Sequence, residues 1–395
     1  MSRFRLWRHF DYIMLLVTIL LTVFGVVMIY SANLGSPDPE LRNLWRRQAI
    51  LGGVGLALLI LLAIFPRDYH WLGDLWWLAY AVALVLLVLV LFFGQSELAP
   101  VASWFNLGII NVQPSFVAMN LLTISVGAVL VRTRRPRNPD VPLFGWPKTS
   151  LTTELAAEKP GLVNYVASAL MTLVLAALVF AQPDLGTALV LVAMWLAMML
   201  QSGLPVWYLL LTGLLGVTAL VPLWELADIL GFEHMHKRIL GFVNPAGNPD
   251  VVYQLQQALI AIGSGGFWGK GFAQGTQSQL RYLPVRHTDF IFAVIAEELG
   301  FLGVLVLMAL YLVLLLRLVR AIVLASDAFG RVVASGALAM IFSQAVINIG
   351  MNLGLLPVVG LPLPFISYGP AALITMMMAI GLAENVVMRH RVLEF

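Results

Sequence analysis

Ten apolar stretches, each long enough to cross a lipid bilayer, set the first limit on how this chain can fold. They fall near 12–32, 47–65, 72–93, 112–131, 162–181, 185–202, 205–224, 290–316, 332–351 and 365–388. About 20 apolar residues span the hydrocarbon core of a membrane as a helix. Within that core every backbone polar group must be bonded inside the protein, which leaves helices as the solution for runs of this length. The chain is therefore predicted to be an all-α polytopic membrane protein of about ten transmembrane helices. Its composition agrees, with 61% apolar and only 11% charged side chains, and excludes a water-soluble enzyme. A net charge of only +3 provides no surface for nucleic acid. There is no cysteine, so disulfides, thiolate-held metals and thiol nucleophiles are excluded, and any chemistry must use oxygen or nitrogen groups. The first window follows Arg3, Arg5 and Arg8 but is too long for the apolar core of a secretory signal, so it is read as a retained helix.

Ten spans put both termini on one side. If that side is the cytoplasm, fifteen basic residues face inward, among them Arg67, Arg132, Arg134, Arg135, Arg137, Arg317, Arg320 and Arg389. Short outer loops then carry only Arg42, Arg46 and Arg47, because the other outer cations lie in one long loop where the positive-inside rule has little force. This bias predicts cytoplasmic termini.

Two connections exceed connector length within what reads as a single membrane domain over 1–395. The inner one, 132–161, begins VRTRRPRNPDVP and suits a segment lying beside anionic headgroups. The outer one, a large extracellular loop at about 225–288 between the seventh and eighth helices, is rich in Gly, Gln, Lys, Arg and His. Loops this long are usually functional, so chemistry is expected there.

Acids at membrane depth are costly, so Asp184, Asp289, Glu297, Glu298 and Glu384 each require a reason. Glu384, close to Arg389 and Arg391, is read as reaching headgroup water. Asp289 opens the eighth span just after Arg286, His287 and Thr288, a candidate N-cap. At helical spacing Glu297 lies about 80° around the axis from Asp289 and Glu298 faces away, so one acid of this helix looks onto that site. The stretch IAIGSGGFWGKGFAQGTQSQL fails the Walker pattern, with Ser264 five residues before Gly269 and Gly271 after Lys270. Its glycines leave two readings open: backbone N–H groups and Lys270 facing a phosphate, or plain turns.

The run from Arg238 to Gly303, with RHTDFIFAVIAEELG at its end, resembles the large extracellular loop and following helix of the SEDS family. Other segments resemble that family in the same order: FDY and IYSA, NLGIINVQPS, QPDLGTALV and NIGMNLGLLPVVGLPLPFISYG. The wording around Asp289 is nearer to the RodA branch, tied to elongation and cell shape, than to the FtsW branch of division.

The resemblance implies a peptidoglycan glycosyltransferase in the bacterial cytoplasmic membrane. Its substrate would be lipid II, the undecaprenyl-pyrophosphate disaccharide peptide, polymerised at the outer face beside a class B penicillin-binding protein. By the same resemblance Asp289 is the catalytic base and Asp184 the second important acid, in a polar cavity open to the outer leaflet. Gln113, His287 and Ser367 are carried over as substrate-binding positions. Lys237, Arg238, Lys270, Arg281 and Arg286 are the cations available for pyrophosphate. No cofactor is obligatory, and a divalent cation could share the charge.

The chain departs from the family pattern at several polar positions. Ser103 stands where the family carries Arg, Phe116 and Met119 where it carries Glu and Lys, Val285 for Glu, and Pro370–Ala371 for Gly-Ser. Losing Glu and Lys together avoids a buried unpaired charge. Two other functions fit these observations: a non-catalytic scaffold for a penicillin-binding protein, and a flippase for a lipid-linked precursor.

Overall fold

The structure is a computed structural model that describes residues 7, 9–65, 69–94, 103–106, 111–131, 161–216, 218, 242 and 249–389. The helices α1 (Tyr12–Asn33), α2 (Leu44–Ile64), α3 (Trp76–Phe93), α4 (Pro114–Val131) and α5 (Leu162–Phe180) occupy the first five apolar windows. They are followed by α6 (Leu185–Gln201), α7 (Trp207–Gly216), α8 (Ile291–Leu324), α9 (Ala328–Asn352) and α10 (Pro370–Met388). Among the described residues eight of these are long and apolar enough to cross a membrane, and α6 and α7 are the shorter apolar helices. The chain is thus a multi-pass α-helical membrane protein. The described strands are β1 (Phe105–Asn106) and β2 (Asn111–Val112), an antiparallel pair with Phe105 opposite Val112. The expected basic loop at 132–161 and the end of the seventh window lie almost wholly outside the described residues.

Aspartates start three of the helices. Asp11, Asp184 and Asp327 are N-caps whose carboxylates accept from Met14 N, Thr187 N and Gly330 N at 3.1, 2.9 and 2.9 Å. Each satisfies an N–H group that the first helical turn leaves without a partner.

Asp11 has a second task at the end of the bundle remote from the glycine-rich loop. Its carboxylate receives Arg317 Nε at 2.7 Å, and Arg320 lies at 3.7 Å. This pairing explains why α8 runs to Leu324 rather than ending near 316: both arginines read as loop residues but serve α1 from the helix. Glu384 does not reach headgroup water as expected. It is buried on α10 and accepts the Asp11 N–H at 2.6 Å, which ties α10 to the start of α1.

The long connection between α7 and α8 is partly helical among the described residues. Pro249–Gly265 forms an amphipathic helix that packs on α8, with Ala258 and Ala261 buried and Leu259 and Ile260 exposed. The glycine-rich segment after it docks onto a break in α8 at Gly300, where φ is +66° and ψ −165°. The break frees the Glu297 and Glu298 carbonyls, which accept Lys270 N and Gly271 N, each at 3.0 Å. In return Phe301 N and Leu302 N donate to Gly266 O at 2.9 Å and Phe267 O at 3.2 Å. A Cβ on Gly300 would lie 2.2 Å from Gly269 N, and one on Gly269, at φ +79°, 2.2 Å from Glu298 O. No side chain fits such an approach, and the positive φ is itself glycine's region.

The same contacts decide between the two readings of the glycines. Lys270 N, Gly271 N and Ala273 N are bonded to α8, and Gly269 N and Gln274 N to Gly265 O and Gly271 O, so these N–H groups are engaged within a structural turn. The two buried acids complete the joint. Glu297 accepts Lys270 Nζ and Gln277 N at 2.8 Å, Thr276 Oγ1 at 3.1 Å and Ser278 N at 3.2 Å. Glu298 accepts the Ser31 hydroxyl, Ala273 N at 3.1 Å and Gln279 Nε2 at 3.3 Å. Both carboxylates are fully buried, and these donors offset the cost of keeping them there.

Candidate functional site

A cavity of about 390 Å³ opens where the first turn of α6 meets the approach to α8 and the 359–372 segment. Its wall includes both Asp184 and Asp289, together with Gln113, Gln182, Thr288 and Tyr368. The sequence places these acids more than a hundred residues apart, and the helix packing brings them to one space.

Asp184 is held from both sides. Its Oδ1 caps α6, and its Oδ2 receives Gln113 Nε2 at 2.7 Å and lies 3.5 Å from Ser115 Oγ. Gln113 ends the β2 segment and is itself nearly buried. Gly186, two residues on, packs on Leu361 so closely that a Cβ there would lie 2.5 Å from Leu361 Cγ. The 359–362 wall therefore seats directly on the turn that carries Asp184.

Asp289 is fixed through its backbone. Its carbonyl accepts Asn352 Nδ2 at 2.9 Å and Asn348 Nδ2 at 3.1 Å. The neighbouring Thr288 carbonyl accepts Ser367 Oγ at 2.5 Å, and Ser367 Oγ also accepts Leu363 N at 2.8 Å. Ser367 is buried and does not line the cavity. It fastens the cavity wall to the start of α8.

The remaining sequence-derived positions fall into three groups. Arg286 is buried and donates Nε to Ala32 O at 2.5 Å, and burial followed by the charge of Arg281 lowers its pKa. Arg281 reaches Gly35 O and Ser36 Oγ at 3.4 Å, and Lys270 is paired with Glu297. These three serve contacts within the outer segments, and none lines the cavity. His287 is pushed down to a pKa of about 4, first by burial and then by Arg286. It is therefore neutral at pH 7, stacked edge-on against Tyr368 with its carbonyl accepting Tyr368 N at 2.8 Å. Lys237 and Arg238 lie outside the described residues.

One cation escaped the sequence reading. Arg47, on the first turn of α2, is exposed and lies close enough to Tyr368 at the cavity wall for its charge to act on the phenol. In the sequence it is one of three short-loop charges, and nothing in the spacing of α2 shows that it meets residue 368.

The departures from the family pattern sit in the same region. Ser103 lines the cavity and donates Oγ to Gln182 O at 2.9 Å, and Phe116 lines it as a buried ring. Met119 is fully buried, 3.6 Å from Gln344 Nε2, and the Oε1 of that glutamine has no partner. Pro370 is the first residue of α10, where a missing N–H costs nothing. Val285 is exposed.

No group of three or more His, Asp or Glu side chains that could hold a metal occurs among the described residues. The cavity offers the carboxylates of Asp184 and Asp289, and its lining residue Gln182 has a buried Oε1 without a partner. Oxygen donors of this kind suit a hydrated Mg²⁺ held by one or two carboxylates.

Fold and cavity together define a polytopic helical membrane protein with a two-acid cleft at one end of the bundle. Comparison with known proteins makes this specific. The chain belongs to the FtsW/RodA/SpoVE family of cell cycle proteins, whose family model matches residues 11–392. It is 35% identical over 393 residues to the peptidoglycan glycosyltransferase MrdB of Escherichia coli K12, covering 98% of this chain and 95% of MrdB. The stage V sporulation protein E of Bacillus subtilis is 33% identical over 382 residues, covering 95% of this chain and 96% of that protein. Among solved structures, the rod shape determining protein RodA of Thermus thermophilus superposes with a TM-score of 0.65 at 30% identity, covering 97% of each chain. A chain from a peptidoglycan synthase complex, described as coordinating polymerization and crosslinking, superposes with a TM-score of 0.71 at 31% identity, covering 97% and 98%.

Proposed function

We propose that this chain is a peptidoglycan glycosyltransferase that polymerises lipid II at the outer face of the cytoplasmic membrane. The observation that carries the reading is the meeting of Asp184 and Asp289 in one cavity at the end of the bundle that holds the outer loop. In this mechanism Asp289 takes the proton from the 4-hydroxyl of the acceptor GlcNAc. The freed oxygen attacks the donor's anomeric carbon, a new C–O bond forms with inversion, and the bond to polyprenyl pyrophosphate breaks. Pyrophosphate is a good leaving group, so it needs cations rather than a proton donor. Arg47 is the described cation best placed for that role, and Lys237 and Arg238 remain candidates. A divalent cation, where used, would take its oxygen ligands from Asp184 and Gln182. The direct test incubates the purified protein with lipid II, with and without a class B penicillin-binding protein, and resolves the products on a gel. A ladder of glycan strands is expected, and no ladder under either condition would overturn the reading.

Sidedness follows from the charge bias of the short loops. Cysteines placed at Gln279 and Asn138 are expected to differ, with an impermeant reagent labelling only position 279 in intact cells. Labelling at 138 instead would invert the topology.

The departures from the family pattern in and beside the cavity give a further expected result. Ser103→Arg, Phe116→Glu and Met119→Lys together return the family's three charged groups, and the new Lys would face the unpartnered Gln344 Oε1. If those losses limit the enzyme, the triple variant makes glycan faster than the wild type in the same gel assay. A rate equal to or below wild type would mean that the cavity has been rebuilt around the apolar residues.

A further inference from the structure

Asn348 and Asn352 stand one helical turn apart at the end of α9, fully buried, and both point at the backbone of Asp289. Phe290 is the N-cap of α8 and its carbonyl accepts Val294 N–H at 3.3 Å, so the Asp289 carbonyl just before it and the Ala293 N–H of the first turn have no i→i−4 partner. Here Ala293 N–H goes to Phe290 O at 3.1 Å and to Asn352 Oδ1 at 3.3 Å, while Asn352 Nδ2 donates to Asp289 O at 2.9 Å. The side-chain amide of Asn352 thus caps this turn from a neighbouring helix, accepting from Ala293 N on one side and donating to Asp289 O on the other.

Asn348 extends the arrangement across the cavity. The same Nδ2 that reaches Asp289 O at 3.1 Å donates to Leu361 O at 2.7 Å. Leu361 is the side chain that packs against Gly186 beside Asp184. One amide therefore joins the turn carrying Asp289 to the wall seated on the turn carrying Asp184. An Asn-to-Asn contact, Asn352 Nδ2 to Asn348 O at 2.9 Å, fixes the pair to each other. Both asparagines serve groups that the helix start leaves without a helical partner, and two buried amides on an apolar helix are costly unless each polar atom is used.

We propose that Asn348 and Asn352 are positioning residues that set the aim of the Asp289 carboxylate and its separation from Asp184. This inference rests on the glycosyltransferase reading for its consequence in turnover, and on geometry alone for the clamp itself. Neither amide lines the cavity, so their effect must pass through the Asp289 turn and the wall at Leu361.

Two variants separate positioning from plain stability. Asn352→Asp keeps the shape and the acceptor for Ala293 N–H but removes the donor to Asp289 O. Asn352→Ala removes both. Purified variants are compared for lipid II turnover and for hydrogen exchange of the peptide containing Ala293. Misplacing a reacting group can cost up to about 100-fold, so both variants are expected to lose at least about 10-fold in kcat with little change in KM. Local opening governs amide exchange, so Ala293 should exchange about 10-fold faster in Asn352→Ala and stay protected in Asn352→Asp. Unchanged kcat in both variants, or unchanged Ala293 exchange in Asn352→Ala, would overturn the proposal. If the wild type makes no glycan, the glycosyltransferase reading fails, and the exchange comparison still decides whether the clamp exists.

Discussion

Asp289→Ala is expected to reduce lipid II polymerisation by about 10²- to 10⁴-fold, the usual cost of removing a positioned general base, while the protein stays folded in the membrane. The carboxylate lines the cavity, and the backbone of the residue is held by Asn348 and Asn352. Those backbone bonds survive the substitution, so the start of α8 keeps its place. The check is the initial rate of glycan formation beside the thermal unfolding midpoint of the same preparation. A rate close to wild type would remove Asp289 from the mechanism, and a collapse of the midpoint would assign it a structural role instead.

Lys270→Met is expected to lower unfolding stability by about 3 kcal/mol, the lower end of the cost of breaking a buried ion pair. Glu297 is fully buried, and Lys270 Nζ supplies one of its donors at 2.8 Å with only a quarter of the Lys side chain exposed. The lower end applies because Thr276 Oγ1, Gln277 N and Ser278 N remain as donors. Lys270→Met with Glu297→Gln removes the orphaned charge and should recover part of the loss. This double-mutant cycle, read by thermal or denaturant unfolding, also separates two roles for the lysine. A cation acting only on pyrophosphate would slow turnover in Lys270→Met and leave unfolding unchanged.

Much of the architecture could be read before the structure, for reasons visible in particular residues. The spans are legible because bilayer thickness sets their length, and each apolar window became a helix. Asp184 and Asp289 stood out because an acid at membrane depth demands an explanation and because both lie in family motifs. That they share a cavity is a matter of which helices face each other. No spacing along α6 or α8 contains that information.

The same gap hid the roles of Glu297 and Glu298. The helical wheel correctly separates them from Asp289 but cannot show that Gly300 breaks the helix and turns two carbonyls toward the glycine-rich segment. The two readings of the Lys270 segment stayed open because its partner Glu297 lies 27 residues away on another element. Asn348 and Asn352 lie in the family-like segment at the end of the ninth span, and nothing in the segment itself names their partner. An i, i+4 pair of buried amides was the available signal, since each must find partners across the helix interface. Arg47 was missed for a similar reason, because its relation to Tyr368 depends on how α2 meets the segment before α10.

The proposed activity is polymerisation of lipid II on the outer side of the membrane. Its most direct test is a proteoliposome assay in which the protein has one known orientation and labelled lipid II is supplied to one leaflet at a time. Glycan strands are expected when lipid II faces the leaflet next to the outer loop and not when it faces the other, with Asp289→Asn giving none on either side. Transfer of lipid II between leaflets without strands, unaffected by Asp289→Asn, would contradict the account and identify a lipid transporter.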